Sequence, residues 1–141
     1  MGSRNFNRVL GMGGSSGVTL DELLALAEQV LARGECVRPD AIATLNAKRG
    51  EPVWAELASH YDCALCFFDA ARLEQETPRL KNPSDAVFRA VGCHGVAEAA
   101  ALAAAGPHGI LAVEKTASVR TTAALAIAGS DAAPQFRKVK L

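Results

Sequence analysis

Residues 10–19 read Leu10-Gly11-Met12-Gly13-Gly14-Ser15-Ser16-Gly17-Val18-Thr19, an apolar run that enters a glycine-rich turn just before an amphipathic segment. This order predicts a strand, a tight turn and a helix, which is the layout of an anion site in α/β proteins. Glycine lets the backbone adopt positive φ and approach a ligand closely, and the first amides of a helix are unpaired donors. We therefore expect either a bound anion or simply a tight turn here.

Three familiar motifs fit this turn only in part. A dinucleotide-binding G-x-G-x-x-G begins at Gly11 and Gly13 but has Ser16 in place of its third glycine, and no lysine follows Gly17 as a phosphate-binding P-loop requires. Ser15 lies in G-x-S-x-G, the turn that exposes a nucleophilic serine in α/β-hydrolases. That interpretation also needs an acid and a histidine, and the three histidines of the chain have no distinguishing context.

Composition bounds the class of protein. The chain has 141 residues, of which 50% are hydrophobic, so we expect a single domain over residues 1–141. Its ordered core is expected at about residues 6–129, followed by a basic tail at 135–141 that frays. The 15 basic and 15 acidic residues cancel, which argues against nucleic acid or a membrane as partner. Because neither a membrane span nor a signal peptide is visible, we expect a cytoplasmic protein with reduced thiols.

The four cysteines include one C-x-x-C pair, Cys63 and Cys66. The segment around them predicts a strand, in which positions three apart point to opposite faces, so this pair is poorly placed for redox chemistry. A zinc site would need a second closely spaced pair, and Cys93-His94 is an incomplete substitute. We expect buried structural cysteines, no metal site and no cofactor.

The hydrophobic pattern predicts five strands interleaved with about five helices. The strands are expected at residues 8–12, 41–45, 63–68, 110–113 and 121–128. The last of them is apolar on both faces, which is typical of a central strand covered by helices. These elements predict an α/β fold, a three-layer α/β/α sandwich around a mixed sheet of about five strands.

The helices begin at recognisable signals. Thr19 and Glu22 form a capping box, and Ser84 can cap a short helix after the proline-containing loop at 77–83. That short helix is expected to bury three apolar side chains: Val87, Phe88 and Val91. A further helix at about residues 96–105 is nearly all alanine and leucine, so we expect it to pack against a large surface.

The predicted topology places polar residues at one edge of the sheet. If the first, second and fourth strands run parallel, their carboxyl ends bring the glycine turn, Lys48-Arg49 and Lys115 together, where ligands of open α/β sheets bind. Arg120 precedes the last strand, and the turn Asn82-Pro83-Ser84 can offer an amide, a hydroxyl and helix N-terminal amides. This edge favours anions. The catalytic residues, if any, stay unassigned, because no acid, base or nucleophile is distinguished.

Six segments follow one another in an order more specific than any single motif. They are Gly11-Met12-Gly13-Gly14-Ser15-Ser16-Gly17-Val18; Ala43-Thr44-Leu45-Asn46-Ala47-Lys48 with Glu51-Pro52; Phe67-Phe68-Asp69-Ala70; Asn82-Pro83-Ser84 with Ala90-Val91-Gly92; Val96-Ala97-Glu98-Ala99-Ala100-Ala101-Leu102; and Val113-Glu114-Lys115 with Ala126-Ile127-Ala128. In this order, over about residues 8–128, the chain resembles the small CobE proteins and the C-terminal domain of CbiG of cobalamin biosynthesis.

The resemblance implies a role on the path to the corrin ring of vitamin B12. The implied ligands are tetrapyrrole intermediates, which carry acetate and propionate carboxylates around a flat apolar macrocycle, and other enzymes of the pathway are further candidate partners. By matching motif it implies nine ligand-binding residues: Gly11, Gly13, Gly14, Ser15, Ser16, Lys48, Asn82, Ser84 and Lys115. The chain departs from the family pattern at Ser15-Ser16, where basic residues are common, and at Cys93-His94-Gly95, where a T-P-S-like helix start is common.

The resemblance leaves two functions open. CbiG proteins are associated, in the anaerobic route, with opening a δ-lactone on cobalt-precorrin-5A, whereas CobE-type proteins belong to the aerobic route and lack the N-terminal CbiG domain. The chain has the short form, and the absence of a distinguishable acid/base pair favours an accessory or carrier protein of the aerobic route that binds a corrinoid or precorrin intermediate. The alternative is a hydrolase that acts on the ring lactone, with water activated by Glu51 or Glu114. Nucleotide binding at the glycine turn is a third and least favoured function.

Overall fold

In the computed structural model, which describes residues 6–129, five strands form one mixed sheet. They are β1 (Arg8–Gly14), β2 (Ala41–Leu45), β3 (Ala64–Phe68), β4 (Ile110–Ala117) and β5 (Thr121–Ile127). Their order across the sheet is β3-β2-β1-β5-β4, with β1, β2 and β3 parallel and β5 antiparallel to both β1 and β4. The predicted mixed sheet is confirmed, and β1 to β4 all point the same way.

Five α-helices connect these strands within the described residues. They are α1 (Leu20–Arg33), α2 (Pro52–Tyr61), α3 (Ala70–Glu74), α4 (Asp85–Val91) and α5 (Ala97–Ala105). The predicted capping box is present at the start of α1, because Thr19 accepts a hydrogen bond from the amide of Glu22 and the Glu22 carboxylate accepts one from the amide of Thr19. None of these helices is long and apolar enough to cross a membrane.

The sheet has a hydrophobic core on each face, which makes the fold a three-layer sandwich. Because side chains alternate along a strand, Leu10 of β1 packs with α1 and α2, while Val9 packs with α5. The cysteines follow the same rule: Cys63 lies against the first core and Cys66 against the second. Burial raises the pKa of the Cys63 thiol to about 11, and none of the four cysteines forms a disulfide.

The helix α5 lies unusually close to the sheet because both surfaces are made of small residues. All nine residues of α5 are buried, and seven of them are alanine. Below it, a Cβ added to Gly11 would overlap the carbonyl oxygen of Ala97 and come within 2.6 Å of the amide nitrogen of Ala101. Gly11 therefore allows this close approach, which places the N-terminus of α5 near the carboxyl end of β1.

Two sequence-based expectations are wrong in detail. The helix α4 buries none of its residues, and Phe88 is 43% exposed, because neither hydrophobic core of the sheet includes its side chains. This short helix is held at its ends by the Ser84 cap and by Gly92 in the left-handed conformation. The strand β4 runs to Ala117 rather than ending at Val113, since it stays paired with β5 through two register shifts. The basic tail at 135–141 lies outside the described residues.

We predict that Gly11→Ala destabilises the protein by roughly 1–3 kcal/mol, because the atoms that its Cβ would meet belong to the backbone of α5 and cannot rotate away. Urea unfolding of the purified variant measures this change. The control is Gly50→Ala, since a Cβ at Gly50 meets nothing within 4 Å. A Gly11→Ala protein as stable as the control would contradict the close contact between α5 and β1.

Candidate functional site

A cavity of about 260 Å³ opens where β1 and β4 end. One wall is the end of β1 with Ser15, and a second is the hairpin between β4 and β5, from Lys115 to Thr122. The third wall is the N-terminus of α5, residues 95–98, with Asn82 and Val87 beside it. The cavity thus lies at the carboxyl ends of parallel strands, where open α/β sheets bind ligands.

The carboxylate of Glu98 joins three of the segments around the cavity. Glu98 is only 2% exposed, in the first turn of α5. Its Oε1 accepts hydrogen bonds from the backbone amides of Lys81 at 2.9 Å and Asn82 at 3.0 Å. Its Oε2 accepts one from Asn82 Nδ2 at 2.8 Å and one from the backbone amide of Lys115 at 2.9 Å. One buried charge therefore holds α5, the loop before α4 and β4 together.

Glu98 positions the site and is a poor proton acceptor. Burial by itself raises the pKa of its carboxyl group, but the hydrogen bonds from Lys115, Asn82 and Lys81 outweigh burial and hold the pKa below its usual value. The group is therefore charged at neutral pH, and both of its oxygens are occupied. Such a carboxylate orients its neighbours instead of taking a proton from water.

The helix N-terminus that lines the cavity is that of α5 and not that of the helix after the glycine turn. The first turn of α1 carries its own capping box, which occupies the amide of Glu22, and none of residues 16–22 lines the cavity. The helix α5 has no side-chain cap; Ala97 and Glu98 line the cavity, and their backbone amides have no hydrogen-bond partner within residues 6–129. Unpaired amides at the positive end of a helix dipole attract anions.

Two cations line the cavity, and they are used differently. The guanidinium of Arg120 pairs with Glu22 at 3.2 Å and donates to the carbonyl of Gly17, while the Arg120 carbonyl accepts from the amide of Ser15 at 2.9 Å. Arg120 therefore ties the glycine turn to the hairpin. Lys115 has no ion pair in the described part of the chain, which leaves its ammonium group available to a ligand.

The nine residues suggested by the resemblance divide into two groups. Five line the cavity: Gly13, Gly14, Ser15, Asn82 and Lys115. Four lie outside it: Gly11, Ser16, Lys48 and Ser84.

Each of the outer residues has a structural environment that accounts for its place. Gly11 lies under α5, and Ser16 is exposed on the turn. Lys48 lies in the 3-10 turn after β2 and forms an ion pair with Glu51 at 3.6 Å, while Ser84 caps α4 by accepting from the amide of Val87.

The structure also locates the acids and histidines that hydrolysis would require. Glu51 pairs with Lys48, and Glu114 lies 3.4 Å from Asn82 Nδ2; neither lines the cavity. No histidine of the described residues lines it either, and His94 contacts Glu74 at 2.9 Å instead of Ser15. No group of three or more His, Cys, Asp or Glu residues that could hold a metal ion occurs within residues 6–129.

Sequence reasoning missed the N-terminus of α5 as part of the site. It gave Glu98 no role in the site. A stronger signal was present, because a single charged residue in a helix that is apolar on all sides must be buried and must therefore be paired. The threonines of the hairpin, Thr121 and Thr122, carried no comparable signal.

Comparison with known proteins identifies the family. A family model described as "Cobalamin synthesis G C-terminus" matches residues 8–128. The chain belongs to this family. The chain is also similar to a relative along most of its length: it is 45% identical over 120 residues to "Protein CobE" of Sinorhizobium sp, covering 84% of this chain and 78% of that protein.

Other relatives extend the comparison within cobalamin synthesis. A "Cobalt-precorrin-5A hydrolase" of Priestia megaterium is 29% identical over 108 residues, which are 75% of this chain but only 28% of the hydrolase. The crystal structure of CobE, a protein from the cobalamin (vitamin B12) biosynthetic pathway, superposes with a TM-score of 0.76 at 34% identity and covers 86% of this chain and 90% of that chain. Cobalamin biosynthesis protein ChiG from Agrobacterium tumefaciens gives a TM-score of 0.67 at 29% identity, covering 86% and 98%.

We predict that Glu98→Gln destabilises the protein by about 1–3 kcal/mol at neutral pH, because an amide cannot accept all four hydrogen bonds. A carboxyl group whose pKa is lower in the folded than in the unfolded protein stabilises the fold above its unfolded pKa and loses that contribution as the pH falls. The difference between parent and variant should therefore shrink below about pH 4.5, the usual pKa of a glutamate.

Urea unfolding at several pH values measures this difference. The matched control is Glu114→Gln, since Glu114 is exposed and directly precedes Lys115, one of the partners of Glu98. A destabilisation of Glu98→Gln that is the same at neutral and at acid pH would contradict a charged, hydrogen-bonded Glu98.

Proposed function

We propose that this protein binds a polycarboxylate corrinoid or precorrin intermediate of cobalamin biosynthesis and serves the aerobic route as an accessory or carrier protein. The observation that carries the proposal is that Ala97 and Glu98, whose backbone amides have no partner among the described residues, line the same cavity as Lys115. Amides at a helix N-terminus and an ammonium group are well suited to a carboxylate. The family membership supplies the class of ligand that carries such carboxylates.

The size of the cavity indicates how such a ligand would bind. Pockets that enclose small ligands usually measure roughly 300–1,000 Å³. A cavity of about 260 Å³ fits the edge of a tetrapyrrole with one or two of its acid side chains. The hydroxyl groups of Ser15 and Thr122 border the same space and can donate further hydrogen bonds. We therefore expect the cavity to hold the ligand by the acid side chains at the edge of its ring.

The same geometry favours binding over hydrolysis. Among the described residues Glu98 is the one carboxylate that lines the cavity, and its oxygens already accept four hydrogen bonds. A carrier needs no general base, whereas a hydrolase does. The carrier would release its intermediate to other enzymes of the pathway, and we expect this exchange to take place in the cytoplasm.

The alternative function is hydrolysis of the ring lactone of a precorrin intermediate. The similarity to the cobalt-precorrin-5A hydrolase of Priestia megaterium favours it, although the matched region is 28% of that enzyme. Of the acids considered from sequence, Glu114 is the nearer to the cavity, since its Oε1 lies 3.4 Å from Asn82 Nδ2. In this alternative, Glu114 is therefore better placed than Glu51 to activate water at the cavity.

Titration with a metal-free corrinoid acid, followed by its visible absorption and by mass spectrometry of the ligand, separates these functions. The proposed carrier shifts the spectrum and leaves the mass of the ligand unchanged. A new product mass would instead favour the hydrolase. A spectrum that does not change would contradict both functions.

We predict that Lys115→Ala raises the Kd for the corrinoid acid about tenfold or more, because a charged hydrogen bond contributes about 1.5 kcal/mol or more. The matched control is Lys48→Ala, which removes the same charge outside the cavity and is expected to leave the Kd unchanged. An equal loss of affinity in the two variants would show that the total charge of the protein, and not this cavity, governs binding.

A further inference from the structure

We infer that the macrocycle of the ligand rests on exposed apolar side chains at the mouth of the cavity, with Phe88 and Val91 of α4 contributing on one segment and Val119 of the β4–β5 hairpin on another. This inference rests on the proposed function. It adds the part of the protein that recognises the ring, whereas the cavity recognises its carboxylates.

The cavity is too small to enclose a whole tetrapyrrole. The cavity holds about 260 Å³, which is less than the roughly 300–1,000 Å³ of pockets that enclose small ligands. A tetrapyrrole whose acid side chain reaches the α5 amides must therefore leave most of its ring outside the cavity. The ring then lies against whatever borders the mouth. Val87 and Val119 are the aliphatic side chains that α4 and the hairpin contribute to the lining.

Exposed apolar side chains are frequent on the two segments that border the cavity. Within residues 6–129, five large hydrophobic residues are exposed: Val37, Phe88, Val91, Ile110 and Val119. Of these, Val119 lines the cavity and is 98% exposed, while Phe88 and Val91 belong to α4, which lines the cavity through Val87. Scattered apolar residues on a surface need no explanation, but a concentration around one cavity indicates a binding surface.

The apolar side chains of α4 lie on the side of the helix that lines the cavity. Val87 lines the cavity, and Val91 follows it by four residues, so the two side chains share one face of the helix. Phe88 is three residues before Val91 and continues the same apolar strip. Since α4 buries none of its residues, this strip stays partly open to solvent, and Phe88 contacts the ring of His94.

Phe88 is exposed, yet contacts with its neighbours hold its side chain in place. Its ring stacks on the imidazole of His94, with centroids 4.5 Å apart and planes inclined by 18°. His94 is in turn fixed by Glu74, which accepts from the His94 amide at 2.9 Å and contacts Nδ1 at 2.9 Å. A side chain that is already ordered loses little entropy when a ligand covers it. Phe88 is therefore prepared to stack against a flat ring.

Binding and NMR measurements test this inference. Phe88→Ala and Val119→Ser should each raise the Kd for the metal-free corrinoid acid by roughly three- to tenfold, as the loss of one aromatic or aliphatic contact predicts. Phe88→Leu should retain most of the affinity. The matched control is Val37→Ser, because Val37 is 92% exposed and lies outside the cavity wall. Unchanged affinities in both Phe88→Ala and Val119→Ser would overturn the inference.

Uroporphyrin, a planar tetrapyrrole with acetate and propionate groups, supplies a direct readout. In methyl-labelled protein its ring current should shift the resonances of Val87, Val91 and Val119 and leave Val37 unshifted. Bound uroporphyrin that shifts none of the three would overturn the inference; if uroporphyrin does not bind, the corrinoid affinities of the variants decide.

Two further results distinguish a ring-binding surface from an apolar surface with a different role. A parent protein that binds the corrinoid acid through Lys115, with no effect of Phe88→Ala or Val119→Ser, would overturn the apolar surface and leave the proposed function standing. Sedimentation velocity tests a second occupant: if Phe88→Ala changes a dimer into a monomer without changing the Kd, the surface serves self-association and the inference is wrong.

Discussion

The buried carboxylate of Glu98 is the interaction on which the candidate site depends. A charge that is removed from water costs several kcal/mol unless hydrogen bonds replace its hydration. Glu98 obtains four donors, and two of its partner residues, Asn82 and Lys115, line the cavity themselves. The charge can be placed there because Gly11 and the alanines of α5 let the helix lie close to the sheet. Helix packing and the shape of the site are therefore parts of one arrangement.

The two helix N-termini at this edge of the sheet have different roles. The first turn of α1 carries a capping box and does not line the cavity, and Glu22 also pairs with Arg120 of the hairpin. The glycine turn is thus fixed to the β4–β5 hairpin, which forms another wall of the cavity. The first turn of α5 stays open, with unpartnered amides at Ala97 and Glu98 among the described residues. The helix N-terminus that lines the cavity is therefore that of α5, although in the sequence the glycines before α1 are what first indicate an anion site.

Local patterns predict much of the fold, and long-range contacts account for what they miss. Apolar runs and turn residues predict the mixed sheet, and Thr19 correctly marks the start of α1. The apolar residues of α4 have the spacing of a buried helix, and spacing alone does not show that no core lies beneath them. Lys48 follows a strand that ends at the expected edge, but a 3-10 turn directs it to Glu51. The partners of Glu98 lie about 17 residues away on either side, a distance that periodicity does not report.

The most direct test is a crystal structure of the protein with a metal-free corrinoid acid. The account predicts a peripheral carboxylate of the ligand within about 3 Å of the amide nitrogens of Ala97 or Glu98, with the ammonium group of Lys115 also in contact. The hydrogen bonds from Asn82 and Lys115 to Glu98 should remain unchanged. A ligand whose carboxylates bind at the first turn of α1 or at Lys48, with the α5 amides left unoccupied, would contradict the account.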